Sequence, residues 1–162
     1  MLVLVLADTH LRSGLSGMPA EVLAQLERAD VVLHAGDVTS ASTLQELSGL
    51  CDLHAVLGNN DTELRGILPA TLLLDLDGLR VGMVHDSGPR QGRARRLQSL
   101  FPDADVVVFG HSHIPWNEAG IGGRLLFNPG SPTQRRSQPV PTYGLLRFES
   151  GAVIDHRVVP VG

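Results

Sequence analysis

Five short apolar runs in this chain each give way to an aspartate, asparagine or histidine. Leu2 to Ala7 stops at Asp8, Val31 to Ala35 at Gly36-Asp37, Leu53 to Leu57 at Gly58-Asn59, Val81 to Val84 at His85, and Val106 to Phe109 at Gly110-His111. Short β-branched runs closed by glycine or a polar residue read as buried strands, and open α/β sheets gather ligands beyond the carboxyl ends of their strands. The recurrence predicts that these polar side chains meet at one sheet edge, around a metal.

The front of the chain alternates between the two periodicities: strand 2–7, helix 19–29, strand 31–35, helix 41–48, strand 53–57. Alternation of this kind implies βαβ crossovers and parallel strands. Pro19 stands where a first helical residue loses nothing by lacking an N–H, and Ser40 or Ser42 can cap the second helix. Beyond Pro69 the texture changes. Runs 71–76 and 79–85 flank Asp77-Gly78, a pair that favours a two-residue hairpin turn. A helix over 90–101 carries Arg90, Arg93, Arg95 and Arg96, a strand follows at 105–110, and further strands fall at 123–127, 142–148 and 152–159. The segment 129–142, with Pro129, Gly130, Pro132, Pro139 and Pro141, reads as loop.

At 162 residues and 43% hydrophobic, the chain suits one domain spanning 1–162 with a sizeable core. A formal charge of −4 argues against nucleic-acid or acidic-membrane binding driven by bulk electrostatics, and leaves small anionic substrates open. No apolar run approaches the roughly 18 residues of a membrane span, and a strand pattern begins at once with no basic leader, so cytoplasmic residence is expected. Cys51 is the one cysteine, which excludes an internal disulfide and makes a thiolate metal cluster an unlikely design.

Any one of the polar fragments is weak evidence, because Asp-x-His and Gly-Asp occur often in ordinary turns. Their joint placement is informative: four of the seven histidines fall just past an apolar run. Oxygen and imidazole donors without thiolate suit manganese, iron, cobalt, nickel or zinc, and a carboxylate can bridge two such ions. Two ions about 3.5–4 Å apart can clamp a phosphate oxygen and lower the pKa of a bound water from 15.7 to roughly 7. Counting two divalent ions, Asp8, Asp37 and a bridging hydroxide leaves about +1, which favours an anionic phosphate.

The series Asp8-x-His10, Gly36-Asp37, Gly58-Asn59-Asn60-Asp61, His85 and Gly110-His111-Ser112-His113 resembles the calcineurin-like metallophosphoesterases. That family's pattern is D-x-H, G-D, G-N-x-D/E, a lone His and G-H-x-H. Asn128-Pro129-Gly130-Ser131 is similar to the loop that follows in its small YfcE-type phosphodiesterase branch. The resemblance implies a four-layer αββα sandwich of two mixed β-sheets flanked by helices. It also implies two divalent ions, with manganese expected. Asp8, His10, Asp37 and His113 would surround one ion, Asn59, His85, His111 and the same bridging Asp37 the other, with Asp37, Asn59, Asn60 and His85 as the catalytic positions. Larger relatives carry a histidine where this chain has Asn60, so a titratable leaving-group acid is missing there and rates should depend steeply on leaving-group pKa.

Outside this set, His34 reads as a histidine satisfied within a buried strand, and His54 and His156 as solvent-facing. Asp61 either orients the donor loops or caps a helix over 64–68. Asn128 either fixes the last loop or makes a turn. Arg65, Arg135 and Arg136 are candidates for gripping phosphate, the 90–96 arginines form a solvated face, and Trp116 belongs to a pocket wall, the core or a subunit contact. The expected activity is hydrolysis of a small phosphodiester by in-line attack of a metal-bridging hydroxide. The alternatives are phosphomonoesterase chemistry at the same site and a non-catalytic protein-binding scaffold, like the retromer subunit that resembles the family. A homodimer is compatible with two sheets that have exposed edges.

Overall fold

The computed structural model describes residues 1–162 and contains ten strands and three α-helices. β1 (Leu2–Leu6), α1 (Ala20–Leu26), β2 (Val31–His34), α2 (Ala41–Leu50) and β3 (Leu53–Ala55) form the alternating front half. The back half holds β4 (Thr71–Leu76), β5 (Leu79–Val84), α3 (Arg93–Leu100), β6 (Val106–Val108), β7 (Trp116–Ala119), β8 (Leu125–Asn128), β9 (Thr142–Glu149) and β10 (Ala152–Pro160). Two mixed five-stranded sheets result, ordered β10-β9-β1-β2-β3 and β4-β5-β6-β8-β7. In the first, β1, β2 and β3 run parallel; in the second, β5, β6 and β8 do.

Strand alternation explains the layering. Val3, Val5 and Ala7 face the second sheet, where they meet Val81, Met83, Val106, Val108 and Phe127 in a cluster of 17 buried residues. Leu4 and Leu6 point the other way, against Val22, Leu26 and Leu47 of α1 and α2. Val107 and Leu126 likewise turn from the inter-sheet layer toward Leu97 and Phe101 of α3. Each sheet thus buries both faces, as a period-2 pattern with no polar side requires. The αββα sandwich expected from the sequence is the observed architecture. No helix is long and apolar enough to cross a membrane.

Several local readings hold and some need correction. Ser40 caps α2, accepting a hydrogen bond from Thr43 N–H at 3.2 Å. Asp77 and Gly78 both have positive φ, the pair a type I′ hairpin demands between β4 and β5. Helix α1 ends at Leu26 rather than residue 29, and α3 starts at Arg93 because Gly92 stands at its N-cap in the left-handed region. β3 ends at Ala55, and Leu57 N–H bonds Pro69 O instead of continuing the ladder. β7, an edge strand of four residues pairing with β8, was not predicted; Trp-Asn-Glu-Ala is too short and too polar to announce itself.

Phe127 fills the centre of the inter-sheet layer with no exposed surface. Phe127→Ala should destabilise the fold by about 3–5 kcal/mol. Urea denaturation monitored by circular dichroism checks this, and a loss below about 1 kcal/mol would mean that the sheets repack.

Candidate metal centre

The parallel strands of both sheets end at a common rim, so the residues that follow β1, β2, β3, β5 and β6 arrive together. Gly110 N–H bonds His85 O at 2.9 Å, and Asp8 N–H bonds Gly36 O at 2.9 Å, tying the strand exits to one another. Asp8, Asp37, His85 and His113 are buried there, His10 and His111 are partly exposed, and Asn59 is exposed.

Two groups of donors converge. In the first, the Nε2 atoms of His10 and His113 face each other at 3.3 Å, Asp8 Oδ1 lies 3.5 Å from His113 Nε2, and Asp37 Oδ2 lies 3.5 Å from His10 Nε2. In the second, Asn59 Oδ1 lies 2.9 Å from both His85 Nε2 and His111 Nδ1, while Asp37 Oδ2 is 3.5 Å from His85 Nε2. Ligands bound at about 2.0–2.2 Å stand roughly 3–3.5 Å apart around one ion. Asp37 is placed equally toward both groups. Asp8 reaches both as well, with Oδ1 3.9 Å from His85 Nε2.

Local backbone geometry is unusual. Of nine non-glycine residues with positive φ, five are Asp8, His10, Asp37, His111 and His113. Such residues cost on the order of 1–3 kcal/mol each and persist only where surroundings impose them. Glycine clears the way: a Cβ on Gly58 would collide with the amide and carboxylate of Asp37, and one on Gly110 would stand 2.9 Å from Asp8 Oδ2.

A second layer of hydrogen bonds sets each donor. His85 Nδ1 lies 2.7 Å from Ala35 O and His113 Nδ1 2.6 Å from Gln134 O, which puts the ring proton on Nδ1 and points Nε2 into the cluster. Asn60 holds Asp37 twice, through its backbone N–H to Oδ1 at 2.8 Å and its side-chain amide to Oδ2 at 2.7 Å. Asp61 does not cap a helix. Its carboxylate accepts from the backbone N–H groups of Asp37, Thr39 and Gly58 at 2.9, 2.6 and 2.6 Å, locking two donor loops together. Asn128 both orients Gly110 O and closes a turn onto Gly130 N–H. Ser131 and Thr133 bond the carbonyls of Asp8 and Thr9.

The sequence overlooked this last tether, along with Gln134 and Thr9, because backbone carbonyls carry no residue signature. His34 is fully buried as expected but not fully satisfied: its Nε2 lies 3.0 Å from Thr9 Oγ1, directly behind the Asp8 and Asp37 loops, while its Nδ1 is buried without a hydrogen-bond partner. His156 is exposed and paired with Asn117, while His54 is half-buried. The 90–96 arginines are not merely solvated: Arg93 lies over the Trp116 and Phe109 rings, and Arg96 binds the carbonyls of Ser87, Pro89 and Gln91. Trp116 accordingly packs under α3 and is not part of the lining of the cavity beside the donors. A cavity of about 670 Å³ adjoins the cluster, lined by His10, Asn59, Asn60, Arg12, Gln134 and Arg136 among others. Arg65 and Arg135 are not in its lining, and Arg135 instead binds Gln138 O.

Electrostatics fit a cation. Both Asp8 carboxylate oxygens are buried without a hydrogen-bond partner, an arrangement that costs several kcal/mol unless a proton or an ion compensates. Burial pushes the Asp8 carboxyl up to about 7, against the pull of His85. Burial opposes ionisation of Asp37 too, but hydrogen bonds from His85 and Asn60 outweigh it and hold this carboxyl well below the usual range. His10 and His113 are lowered, chiefly by burial. For His85 burial is again the largest influence, yet Asp37, the Ala35 carbonyl and Asp8 together raise it.

The αββα sandwich and its histidine–carboxylate cluster define a metallophosphoesterase fold. A model of the calcineurin-like phosphoesterase superfamily domain matches residues 1–151, and the chain belongs to that superfamily. It is 33% identical to a probable metallophosphoesterase of Methanothermobacter thermautotrophicus, over 100% of this chain and 94% of the relative. Vps29 of Entamoeba histolytica in complex with zinc is similar over the full length of both chains, at 25% identity and TM-score 0.76. An archaeal phosphodiesterase shares the fold at 23% identity and TM-score 0.73, over 99% of each chain.

Two predictions follow from this layer. A cation needs Asp8 ionised and His85 Nε2 unprotonated, and both groups hold their protons more tightly than usual in the metal-free protein. Lowering the pH through 7 therefore sets protons against metal, and affinity falls by up to about tenfold per unit for each proton displaced. The rise in Tm on adding Mn²⁺ should be larger at pH 8 than at pH 6; equal shifts at both would refute this coupling. Asp61→Ala frees three backbone N–H groups and should weaken metal binding by about 10–100-fold without removing any direct donor. Titration calorimetry reads the change, and unaltered affinity would remove Asp61 from the supporting role.

Proposed function

We propose that the chain is a phosphodiesterase acting with two divalent metal ions, Asp8, His10, Asp37 and His113 holding one and Asn59, His85, His111 and the shared Asp37 the other. The observation that carries this reading is the position of Asp37 Oδ2, 3.5 Å from an imidazole nitrogen of each donor group. Oxygen and nitrogen donors without sulfur are compatible with manganese, iron, cobalt, nickel and zinc, and manganese is the ion that the family resemblance leads us to expect. Ions held there supply Lewis acidity and an acidified water nucleophile.

The chain's own residues then have distinct tasks. Asn60 and Asp61 fix Asp37 from the side-chain and backbone directions. The carbonyls of Ala35 and Gln134 select the imidazole tautomers that leave Nε2 free. The polar cavity admits substrate beside His10 and Asn59. Asn60, occupied with Asp37 and unable to titrate, offers the leaving group no proton, so good leaving groups are favoured. A diester is preferred over a monoester on the similarity to the phosphodiesterase fold relative and on the motif shared with the YfcE-type branch.

The likeness to Vps29 favours a second reading, a protein-binding scaffold on the same fold. Elemental analysis of purified protein and hydrolysis of bis(4-nitrophenyl) phosphate with added Mn²⁺ separate the two. Two equivalents of metal with turnover are expected, and Asp37→Ala should lower both the metal content and kcat/KM by at least about 100-fold. Neither stoichiometric metal nor turnover would leave the scaffold, and a faster rate on 4-nitrophenyl phosphate than on the diester would replace the diesterase by a monoesterase.

A further inference from the structure

Small-molecule cavities are lined predominantly by hydrophobic and aromatic side chains, with a few polar groups that fix orientation. The cavity beside the donor cluster departs from this completely. None of its ten lining residues is hydrophobic, although about 670 Å³ is ample for a small molecule rather than a lone phosphate. With no aliphatic side chain in the lining and the His10 imidazole as its one aromatic ring, it offers little surface on which an aryl ring or acyl chain can be desolvated.

Its charged groups are asymmetric as well. His10, Arg12, Glu63 and Arg136 line it, and the Glu63 carboxylate already accepts from Ala41 N–H at 3.1 Å. Neither Arg12 nor Arg136 has a carboxylate within ion-pair distance or a hydrogen-bond partner. Arg124, which binds the carbonyls of Phe101, Pro102 and Ile121, Arg96, which binds three more, and Arg80, which pairs with Asp75 and Asp103, are held by the fold, and the other unpaired arginines, Arg28, Arg65, Arg95 and Arg147, lie outside this cavity. Arg136 lines the same cavity as His10 and Asn59 of the donor cluster. Two guanidiniums left free in one hydrophilic cavity present planar forks that match an oxyanion bidentately.

We infer that Arg12 and Arg136 bind a second oxyanion of the substrate, so that the natural substrate is a small, hydrophilic phosphodiester carrying a carboxylate or phosphate in addition to the scissile phosphate. The inference rests on the diesterase reading for the scissile group. The geometry assigns the donor cluster to the phosphate that reacts and the arginine wall to the group that selects.

Product-like ligands test it. Glycerol 2-phosphate, 2-phosphoglycerate, glycerol 1,2-bisphosphate and phenyl phosphate are compared as inhibitors of bis(4-nitrophenyl) phosphate hydrolysis. The same four are compared by the Tm rise that each gives the metal-loaded protein. 2-Phosphoglycerate, the bisphosphate or both should bind at least about tenfold more tightly than glycerol 2-phosphate, with phenyl phosphate no tighter, since charge-assisted pairs exceed the 1.4 kcal/mol that tenfold represents. The ranking of the two doubly anionic ligands tells carboxylate from phosphate. In Arg12→Gln/Arg136→Gln the advantage should shrink to within about twofold. Equal binding of all four ligands, tightest binding of phenyl phosphate, or an advantage that survives the double substitution would overturn the inference. Absence of bis(4-nitrophenyl) phosphate turnover would instead strike the diesterase reading, and the Tm comparison would still decide whether the arginines select a second oxyanion.

Discussion

A buried carboxylate standing directly on a dry core is the constraint from which the rest of this architecture follows. Ala7 belongs to the inter-sheet apolar layer, and the next residue, Asp8, has no exposed surface and no hydrogen-bond partner for either oxygen. The carboxylate therefore calls for a proton or a cation at that rim, and the Nε2 atoms of His113 and His85, brought there from the second sheet, stand around the same point where a cation would be held. Folding and site assembly are one event, because the donors share no local sequence and are joined only when both sheets close.

Closing them imposes a backbone cost that the surrounding hydrogen bonds offset. Left-handed φ at Asp8, His10, Asp37, His111 and His113 turns each side chain back over the rim instead of along its strand. The tethers that hold these turns are long-range: Ser131 to Asp8 O, Thr133 to Thr9 O, and Asp61 to the amides of Asp37 and Thr39. A rim built this way resists small movements, since displacing one donor breaks contacts on several loops together. Preorganisation of that kind suits a site whose ligands must keep a fixed separation.

What could be read from the residues alone divides along a physical line. The alternating front half, the β-rich back half and the polar residues at strand ends were legible because each strand advertises itself by an apolar run and each exit by a glycine or a donor, while the sandwich itself was implied by the resemblance that those motifs carry. Ser40 and Asp77-Gly78 were legible because capping and type I′ turns demand particular side chains. The supporting layer was not. Ala35 and Gln134 act through carbonyl oxygens that every residue possesses, and Asp61 looked equally suited to a helix cap until three backbone amides were found around it. Arg93 was misjudged and Trp116 left open for a related reason: β7 is a short polar edge, and only the paired structure shows the tryptophan packed against the core beneath a helical arginine.

The same line separates the rigid part of the site from the part able to diverge. The donors follow strand ends by one to five residues, and the strand register fixes where each of these exits begins. Arg12 and Arg136 instead lie on connections, one in the segment between β1 and α1, the other in the proline-rich stretch between β8 and β9. Loops accept substitution and insertion at little thermodynamic cost, whereas a shift at a strand end would flip or displace a donor. Chemistry is thereby tied to the sheets and selectivity to the loops. Donor residues can accordingly be recognised in a sequence like this one, while the identity of the substrate is written in side chains whose convergence only the folded chain reveals.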